Sequence, residues 1–396
     1  MSQGRIFLDA RYLRGEPGGV AAYTEALVEH LPALLPDFPI VFLRHPGATS
    51  PLSRAPNVTE WSLGGEPNSP WTCLRMGRWL NARLHPNDLF HAPYRILPRG
   101  LRTRSVITIH DVMQVVRPEL VFPNPIVRAW ARPYWSFAIR SALRQAKRII
   151  AVSKYSGEDA VRVDPSCAPR LRVVHLGKSP VFHPLDKVDA ERLSAAVIPS
   201  GRRFFLVLGG GYPNKNHVAA VTAFARGFRP SDDVHLLIIQ RNRTHPPELR
   251  SVIRNSKLET RIHVRSGVGT DELVALYNRA EALVFPSLYE GFGLPVLEAM
   301  ACGCPVLCSN VTSLPEVAGD AALFFGPQDE EAISRAMRSV VADSDLRQSL
   351  AQRGLGQAAR FGWRKMALET VRVYREIVPS IPAPSSLPQD SDQDSL

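Results

Sequence analysis

The residues with the clearest capacity for chemistry fall in one run, 287–298, followed by the apolar stretch 299–306. Glu290 and Glu298 stand eight positions apart, not the three or four that would stack them on one helical face. Between them Gly291, Phe292, Gly293 and Leu294 lead into Pro295, which suits the first turn of a helix because its missing N–H has no intrahelical partner there. A helix starting at that point aims the N–H groups of Phe292, Gly293 and Leu294 outward from a strand end, an arrangement suited to a diphosphate. Gly291 and Gly293 let the backbone approach a ligand closely. Two carboxylates directed at different parts of one polyhydroxylated ligand, one at sugar hydroxyls and one at ribose hydroxyls, suit a sugar nucleotide. Taken alone, the glutamate spacing equally describes a helix start decorated with acids that favour its dipole. The complete run, with G-F-G-L-P and A-C-G-C-P-V, carries the chemical reading.

The elements that must position these groups can be traced in chain order. Residues 283–286 form a short apolar run closed by proline, as in a buried parallel strand. Residues 204–208 form another and enter Gly209-Gly210-Gly211, a loop that supplies backbone amides, then Lys215. In the first half, strand 5–9 precedes a loop with Gly18 and Gly19, and a helix with apolar residues at 20, 23, 27, 28 and 31. A glycine turn between first strand and first helix is typical of a doubly wound sheet. The G-x-G-x-x-G dinucleotide fingerprint is absent, which argues against a dehydrogenase. Strand 105–110 ends in His110, placed where open α/β sheets bind ligands; His91, ending strand 88–91, is a weaker candidate of the same kind. Further strands are expected at 41–43, 148–153, 236–239, 306–308 and 322–325, with residues 45–72 as irregular connection, 171–177 closing the first domain and 261–264 leading into the loop at 266–269. A helix start capped by Ser313 is expected before Glu316.

The central run resembles the signature of the family-4 retaining glycosyltransferases, which have the GT-B fold. The resemblance extends from the glycines near residue 18 to about residue 378. It implies two Rossmann-like doubly wound domains facing a central cleft, and a donor that is a nucleotide-diphosphate sugar. By resemblance, Glu290 and the amides of Gly291, Phe292, Gly293 and Leu294 hold the sugar and diphosphate. Glu298 meets the ribose, Lys215 the diphosphate, and Val268 the base. Gly18 and Gly19 match a glycine pair facing the donor phosphates, and His110 a histidine near sugar and acceptor. Many relatives carry an arginine five or six residues before the lysine, where this chain has Gly209 and Gly210. Arg241 or Arg243 could replace it. The resemblance also implies retention by same-face attack; because cationic groups and a helix terminus replace a metal, no metal or other cofactor is expected. Within the family the pairing of I-H-D-V, P-N-K-N and the central run looks most like bacterial mannosyltransferases, implying GDP-mannose. UDP-glucose and other donors remain open.

Length and composition agree with this. With 396 residues, 45% of them apolar and 21% charged, two globular domains are expected. The expected partition is a first domain at 1–178, a linker at 179–200, a second domain at 201–360, a helix at 361–378 crossing back to the first domain, and a disordered tail at 379–396. Neither a signal-peptide core nor a membrane-spanning run is apparent, which points to the cytoplasm or the inner face of its membrane. Five cysteines, three of them at 302, 304 and 308, read as reduced small hydrophobes rather than a zinc site. The D-x-D strings at 343–345 and 390–392 lack a ligand loop and are discounted as metal sites.

The net charge of +11 is uneven. No acid falls between Glu119 and Glu158, where Arg128, Arg132, Arg140, Arg144, Lys147, Arg148 and Lys154 interleave with Trp130, Tyr134, Trp135 and Phe137. No nucleic-acid module accompanies them. An anionic membrane presenting a lipid-linked saccharide fits the pattern, as does a solvated helix with its aromatics packed inward. Two other readings stay open. A GT-B sugar-nucleotide 2-epimerase would turn over donor without acceptor, and a non-catalytic glycan- or membrane-binding protein would dispense with Glu290, Glu298 and Lys215.

Overall fold

The structure, a computed structural model, describes residues 4–14, 18–48, 51–240 and 247–385. It divides into two compact units. The first comprises Met1–Val116, Ala129–Gly177 and Gly362–Leu396; the second comprises Arg117–Arg128 and Lys178–Phe361.

The first unit is built on a seven-stranded parallel sheet. Its strands are β1 (Ile6–Asp9), β2 (Ile40–Arg44), β3 (Val58–Ser62), β4 (Leu89–Ala92), β5 (Arg104–Ile109), β6 (Arg148–Ala151) and β7 (Leu171–Val173), in the order 3-2-1-4-5-6-7. The order reverses between β1 and β4, so the loops leaving these two strands diverge and open a crevice at their C-terminal ends. Strands β1, β2, β4, β5 and β6 are almost wholly buried, which explains why they read as unbroken apolar runs.

Strand β3 lies inside the stretch expected to be irregular. It is an edge strand of V-T-E-W-S, half exposed and with no apolar run to reveal it. Tertiary contacts hold it: Trp61 meets Phe7 edge-on at 5.1 Å, and Glu60 pairs with Arg44 at 3.2 Å. Strand β7 opens the stretch 171–177 that closes the first domain, and it ends at Val173.

The helix Trp363–Arg375 belongs to the first unit and packs on the helix Gly19–Leu34. Glu376, just past its end, pairs with Arg148 at 2.7 Å and Arg172 at 2.8 Å. A side chain at Gly177 would collide with the backbone of Trp363, 2.2 Å away. The tail also departs from expectation: Ile381 is buried and the Ser385 amide donates to the Leu34 carbonyl at 2.9 Å. Residues 386–396 lie outside the described residues.

The second unit has a six-stranded parallel sheet of β8 (Phe204–Gly209), β9 (His235–Gln240), β10 (Ile262–Arg265), β11 (Ala282–Phe285), β12 (Val306–Ser309) and β13 (Ala322–Phe325), ordered 10-9-8-11-12-13. Here the order reverses between β8 and β11. Two segments expected elsewhere join this unit. Residues 117–128 were expected in the first domain, but the short helix Pro118–Val121 packs against the turn Pro213–Lys215. The expected linker carries the helix Lys187–Ser194, which packs along the helix Thr270–Arg279. Asp343, in the first D-x-D string, accepts from the amides of Asp345 and Leu346 and so caps a helix. The second string lies outside the described residues.

Candidate active site

In the second unit the candidate residues gather where the strand order reverses. Strand β8 runs into Gly209–Gly211 and the turn Pro213–Lys215, while its neighbour β11 runs into 286–290. The asparagines either side of Lys215 tie the two exits together. Asn214 donates to the Tyr289 carbonyl at 3.1 Å and accepts from the Leu288 amide at 2.8 Å. Asn216 donates to the Pro286 and Pro327 carbonyls, at 3.1 and 2.7 Å. Asn216 takes the left-handed conformation, φ 52°, which asparagine tolerates better than most residues. Lys215 is thereby aimed at Glu290, its Nζ 2.6 Å from Oε1 and 5.2 Å from the centre of the Phe285 ring. Both side chains are largely buried, 18% and 11% exposed, so solvent screens the pair weakly.

The opposite side of the Glu290 loop is held by the β12 exit. The Ser313 hydroxyl lies 3.0 Å from the Glu290 carbonyl and 2.8 Å from that of Phe292, and the Glu290 amide donates to Thr312 Oγ1 at 3.2 Å. Ser313 was expected to cap the following helix; its hydroxyl is committed to the loop instead. The helix Leu294–Ala301 starts as expected, with Pro295 in its first turn and Gly293 before it. Gly293 sits at φ 109°, and a Cβ there would lie 2.7 Å from Leu314 Cδ2, so both backbone and space demand glycine. Phe292 contributes more than an amide: its buried ring meets Phe361 edge-on at 5.9 Å and anchors the loop.

Glu298 lies further along this helix. Tyr277 donates to its Oε2 at 3.1 Å, and burial pushes its carboxyl up to about 7. Tyr277 belongs to the helix Thr270–Arg279, which begins just after the loop holding half-buried Val268. Glu272 fixes that start by accepting from the Gly269 amide at 2.7 Å.

The structure gives the physical reason for the glycines that stand where an arginine was looked for. A Cβ on Gly209 would lie 2.7 Å from Lys215 Cγ and 2.9 Å from His217 Nε2, and one on Gly210 would lie 2.9 Å from the Tyr212 ring. The shaft of Lys215 occupies the space such a residue needs. Arg241 and Arg243 lie outside the described residues.

In the first unit, Gly18 and Gly19 open the helix Gly19–Leu34, with no side chain capping its first turn. His110 follows β5; its Nε2 lies 3.1 Å from the Pro93 carbonyl, which fixes the proton on that nitrogen. Burial is the main cause that lowers its pKa to about 4, so the ring is neutral at pH 7 and presents Nδ1 as an acceptor. Ser156 secures its backbone by donating to the His110 carbonyl at 2.9 Å. His91 is a structural residue. Its ring nitrogens meet the Tyr374 hydroxyl at 2.6 Å and Thr108 Oγ1 at 2.9 Å, and Tyr23 joins Thr108 at 2.9 Å. This buried chain ties the helix Trp363–Arg375 to the sheet.

Cys302, Cys304 and Cys308 are buried, and burial raises all three thiols, that of Cys302 to about 12. Among the described residues no group of three or more His, Cys, Asp or Glu could hold a metal ion, and no helix is long and apolar enough to cross a membrane.

Comparison with known proteins decides the family. Residues 17–178 match the Glycosyltransferase Family 4 model and residues 190–356 the model for glycosyl transferases group 1. O-antigen chain mannosyltransferase B of Escherichia coli is 33% identical over 294 residues, covering 74% of this chain and 75% of that protein. The chain is a family-4 glycosyltransferase. The serotype-specific mannosyltransferase WbdA of Escherichia coli is 28% identical over 70% of this chain, which spans only 34% of that longer relative. Sucrose-phosphate synthase from Thermosynechococcus elongatus superposes with a TM-score of 0.73 at 20% identity, covering 96% of this chain and 100% of that one, which shows the GT-B fold.

In this glycosyltransferase the groups missed from sequence are Asn214, Asn216, Tyr277 and Thr312. The asparagines stood in the quoted P-N-K-N string, yet only the lysine was given a role. Thr312, at φ 59°, carries no sequence signal for that conformation. The Glu298 carboxyl makes a testable pH dependence. If Glu298 accepts hydrogen bonds from a ribose, donor affinity falls as pH drops through about 7 and the carboxylate is protonated. Stability should run the other way. A carboxyl whose folded pKa lies above its unfolded value favours the fold at low pH, and that advantage is lost as pH rises from about 4.5 through about 7. Glu298→Gln should flatten both profiles, as read by donor titration and thermal melting between pH 5.5 and 8 (a window set by roughly a unit or more either side of the carboxyl). A pH-independent donor affinity in the unmodified enzyme would contradict the assignment.

Proposed function

We propose that this glycosyltransferase moves mannose from GDP-mannose onto a lipid-linked saccharide during assembly of a bacterial surface or secreted polysaccharide, with retention at the anomeric carbon. The observation that carries the reading is the Lys215–Glu290 pair at 2.6 Å, set beside the start of the helix Leu294–Ala301. The two curated relatives above, both named mannosyltransferases, support the sugar.

The proposed chemistry follows from these groups. Glu290 Oε1 is engaged by Lys215, which leaves Oε2 for a sugar hydroxyl. Lys215 and the helix start offset negative charge that grows on the departing diphosphate. The acceptor hydroxyl attacks the anomeric carbon on the face from which the diphosphate leaves. The carbon–oxygen bond to phosphate breaks, and a phosphate oxygen takes the acceptor's proton. Glu290 forms no bond to the sugar. We assign the donor to the second unit and the acceptor to the first, where neutral His110 offers Nδ1 as a hydrogen-bond acceptor.

Calorimetry with GDP-mannose, UDP-glucose, UDP-N-acetylglucosamine and dTDP-rhamnose tests the donor. The reading predicts that GDP-mannose binds tightest; tighter binding of a uridine or thymidine sugar overturns that choice. Because an ammonium and a helix start take the place of a metal in this scheme, transfer should persist in EDTA. Complete loss with chelator, restored by magnesium or manganese, would contradict the proposed charge stabilisation.

A further inference from the structure

The first unit carries a basic groove that the reaction does not use. It is an open depression of about 750 Å³ between the loop at Arg99 and Gly100 and the helix Pro125–Gln145, where Phe137, Arg140 and Arg144 line it. The groove lies toward the N-terminal edges of β5 and β6, which its two walls enter directly, whereas His110 follows the C-terminal end of β5. The walls are fixed before any ligand arrives. Gln145 accepts from the Gly100 amide at 2.9 Å and donates to the Pro98 carbonyl at 2.8 Å, which pins the loop to the helix.

Three arginines face this space, in different states. Arg144 pairs with Asp164 at 2.5 Å, so much of its charge is already offset. Arg99 and Arg140 have no acidic partner among the described residues. The Arg99 guanidinium sits 5.4 Å from the centre of the Phe137 ring, a contact that holds it over the groove and leaves its charge available. The carbonyls at the end of the helix would repel an anion, but Arg170 donates to those of Arg144 and Ala146.

The same helix adds an apolar component. Trp130 is 83% exposed and Phe137 43% exposed. Seven positions apart, they share a face and stand about 10 Å from each other along the axis. The other aromatics of this basic stretch point inward: Tyr134 donates to the Asn68 carbonyl at 2.8 Å, and Trp135 packs against the core. Arg148 is likewise committed, to Glu376. Of the aromatics in that stretch Trp130 and Phe137 face solvent, Arg99 and Arg140 bring charge to the groove itself, and Arg132 and Lys147 are exposed nearby.

We propose that this groove binds the phosphate of an anionic phospholipid headgroup, seating one flank of the first unit on a bilayer with Trp130 in the interface. The inference deepens the lipid-linked acceptor of the proposed function and rests on it. A free phosphate would fill a small part of a groove this size and would have no use for an exposed tryptophan beside it. Aromatic side chains at the interface and arginines at headgroup phosphates are what a bilayer surface selects.

The test is sedimentation of the full chain with vesicles of phosphatidylcholine alone or mixed with phosphatidylglycerol. The expected result is binding to the mixed vesicles only, reduced roughly tenfold or more by Arg99→Gln with Arg140→Gln, at about a kcal/mol for each arginine near the surface. Trp130→Ala should weaken it as well. Arg250→Gln with Arg254→Gln, which removes the same charge from an exposed helix of the second unit, should change it little. Equal losses in the groove and control variants would overturn the inference, since net charge alone would then explain binding. Equal binding to neutral vesicles would also overturn it, as would full competition by glycerol phosphate. Calorimetry of GDP-mannose with the same variants is expected to be unchanged, so failure of the groove and failure of the donor reading are told apart.

Discussion

Replacing Glu290 with alanine should lower kcat by roughly a thousandfold, equivalent to about 4 kcal/mol of barrier, while leaving the chain folded. The side chain fills no core position. It stands in a loop whose shape is fixed by Asn214, Thr312 and Ser313 through backbone groups of 288–292, none of which needs the carboxylate. The variant should therefore keep its loop and lose only the group that meets the sugar. A secondary effect follows from the pairing with Lys215. Without Glu290 the ammonium is left largely buried beside Phe285, costing on the order of 1 kcal/mol, which should appear as a small drop in melting temperature. Glu290→Gln keeps the shape and should be nearly as inactive. Turnover near the unmodified rate in either variant would remove Glu290 from the site.

Lys215→Ala should be of similar severity, with a different signature. The proposed role of the ammonium is toward charge that grows on the diphosphate, so kcat should fall by about two to three orders of magnitude and donor affinity by less. A donor with a better leaving group needs less help, so a fluorinated-phosphonate or otherwise less basic leaving group should recover part of the rate in this variant. Lys215→Arg should rescue poorly. The lysine shaft runs so close to Gly209 that a Cβ there would lie 2.7 Å from it, which leaves little room for a planar guanidinium fork. Full activity in Lys215→Arg would show that position 215 needs only charge, and equal losses for all leaving groups would argue against a leaving-group role.

Much of this was legible in the chain because the signals were local. Buried parallel strands are covered on both faces, so β1, β2, β5, β8 and β11 appear as apolar runs that need no partner to be recognised. Gly293 and Pro295 mark a helix start by backbone preference alone, and the structure places it there. What escaped depends on contacts distant in sequence. Strand β3 is held by pairing with β2 and by Phe7, neither encoded in V-T-E-W-S. Ser313 looks like any helix cap until the Glu290 loop, more than twenty residues earlier, is laid against it. His91 and His110 look alike as histidines at strand ends. The Tyr374 hydroxyl, 283 positions away, and Thr108 together occupy both ring nitrogens of His91, which separates a structural histidine from one with a nitrogen to offer. The glycines at 209 and 210 read as a missing contact, whereas in the fold they make room for Lys215 and Tyr212.

Sugar transfer from a nucleotide diphosphate with retention of configuration has a distinct product signature. Incubation with GDP-mannose and a lipid-linked saccharide acceptor, followed by NMR of the product's anomeric proton, tests it most directly. The expected result is an α-mannoside formed in step with GDP release, no epimerised donor when acceptor is withheld, and no product from Glu290→Ala. A β-linked product would contradict retention, and an epimerised sugar nucleotide formed without acceptor would contradict transfer itself.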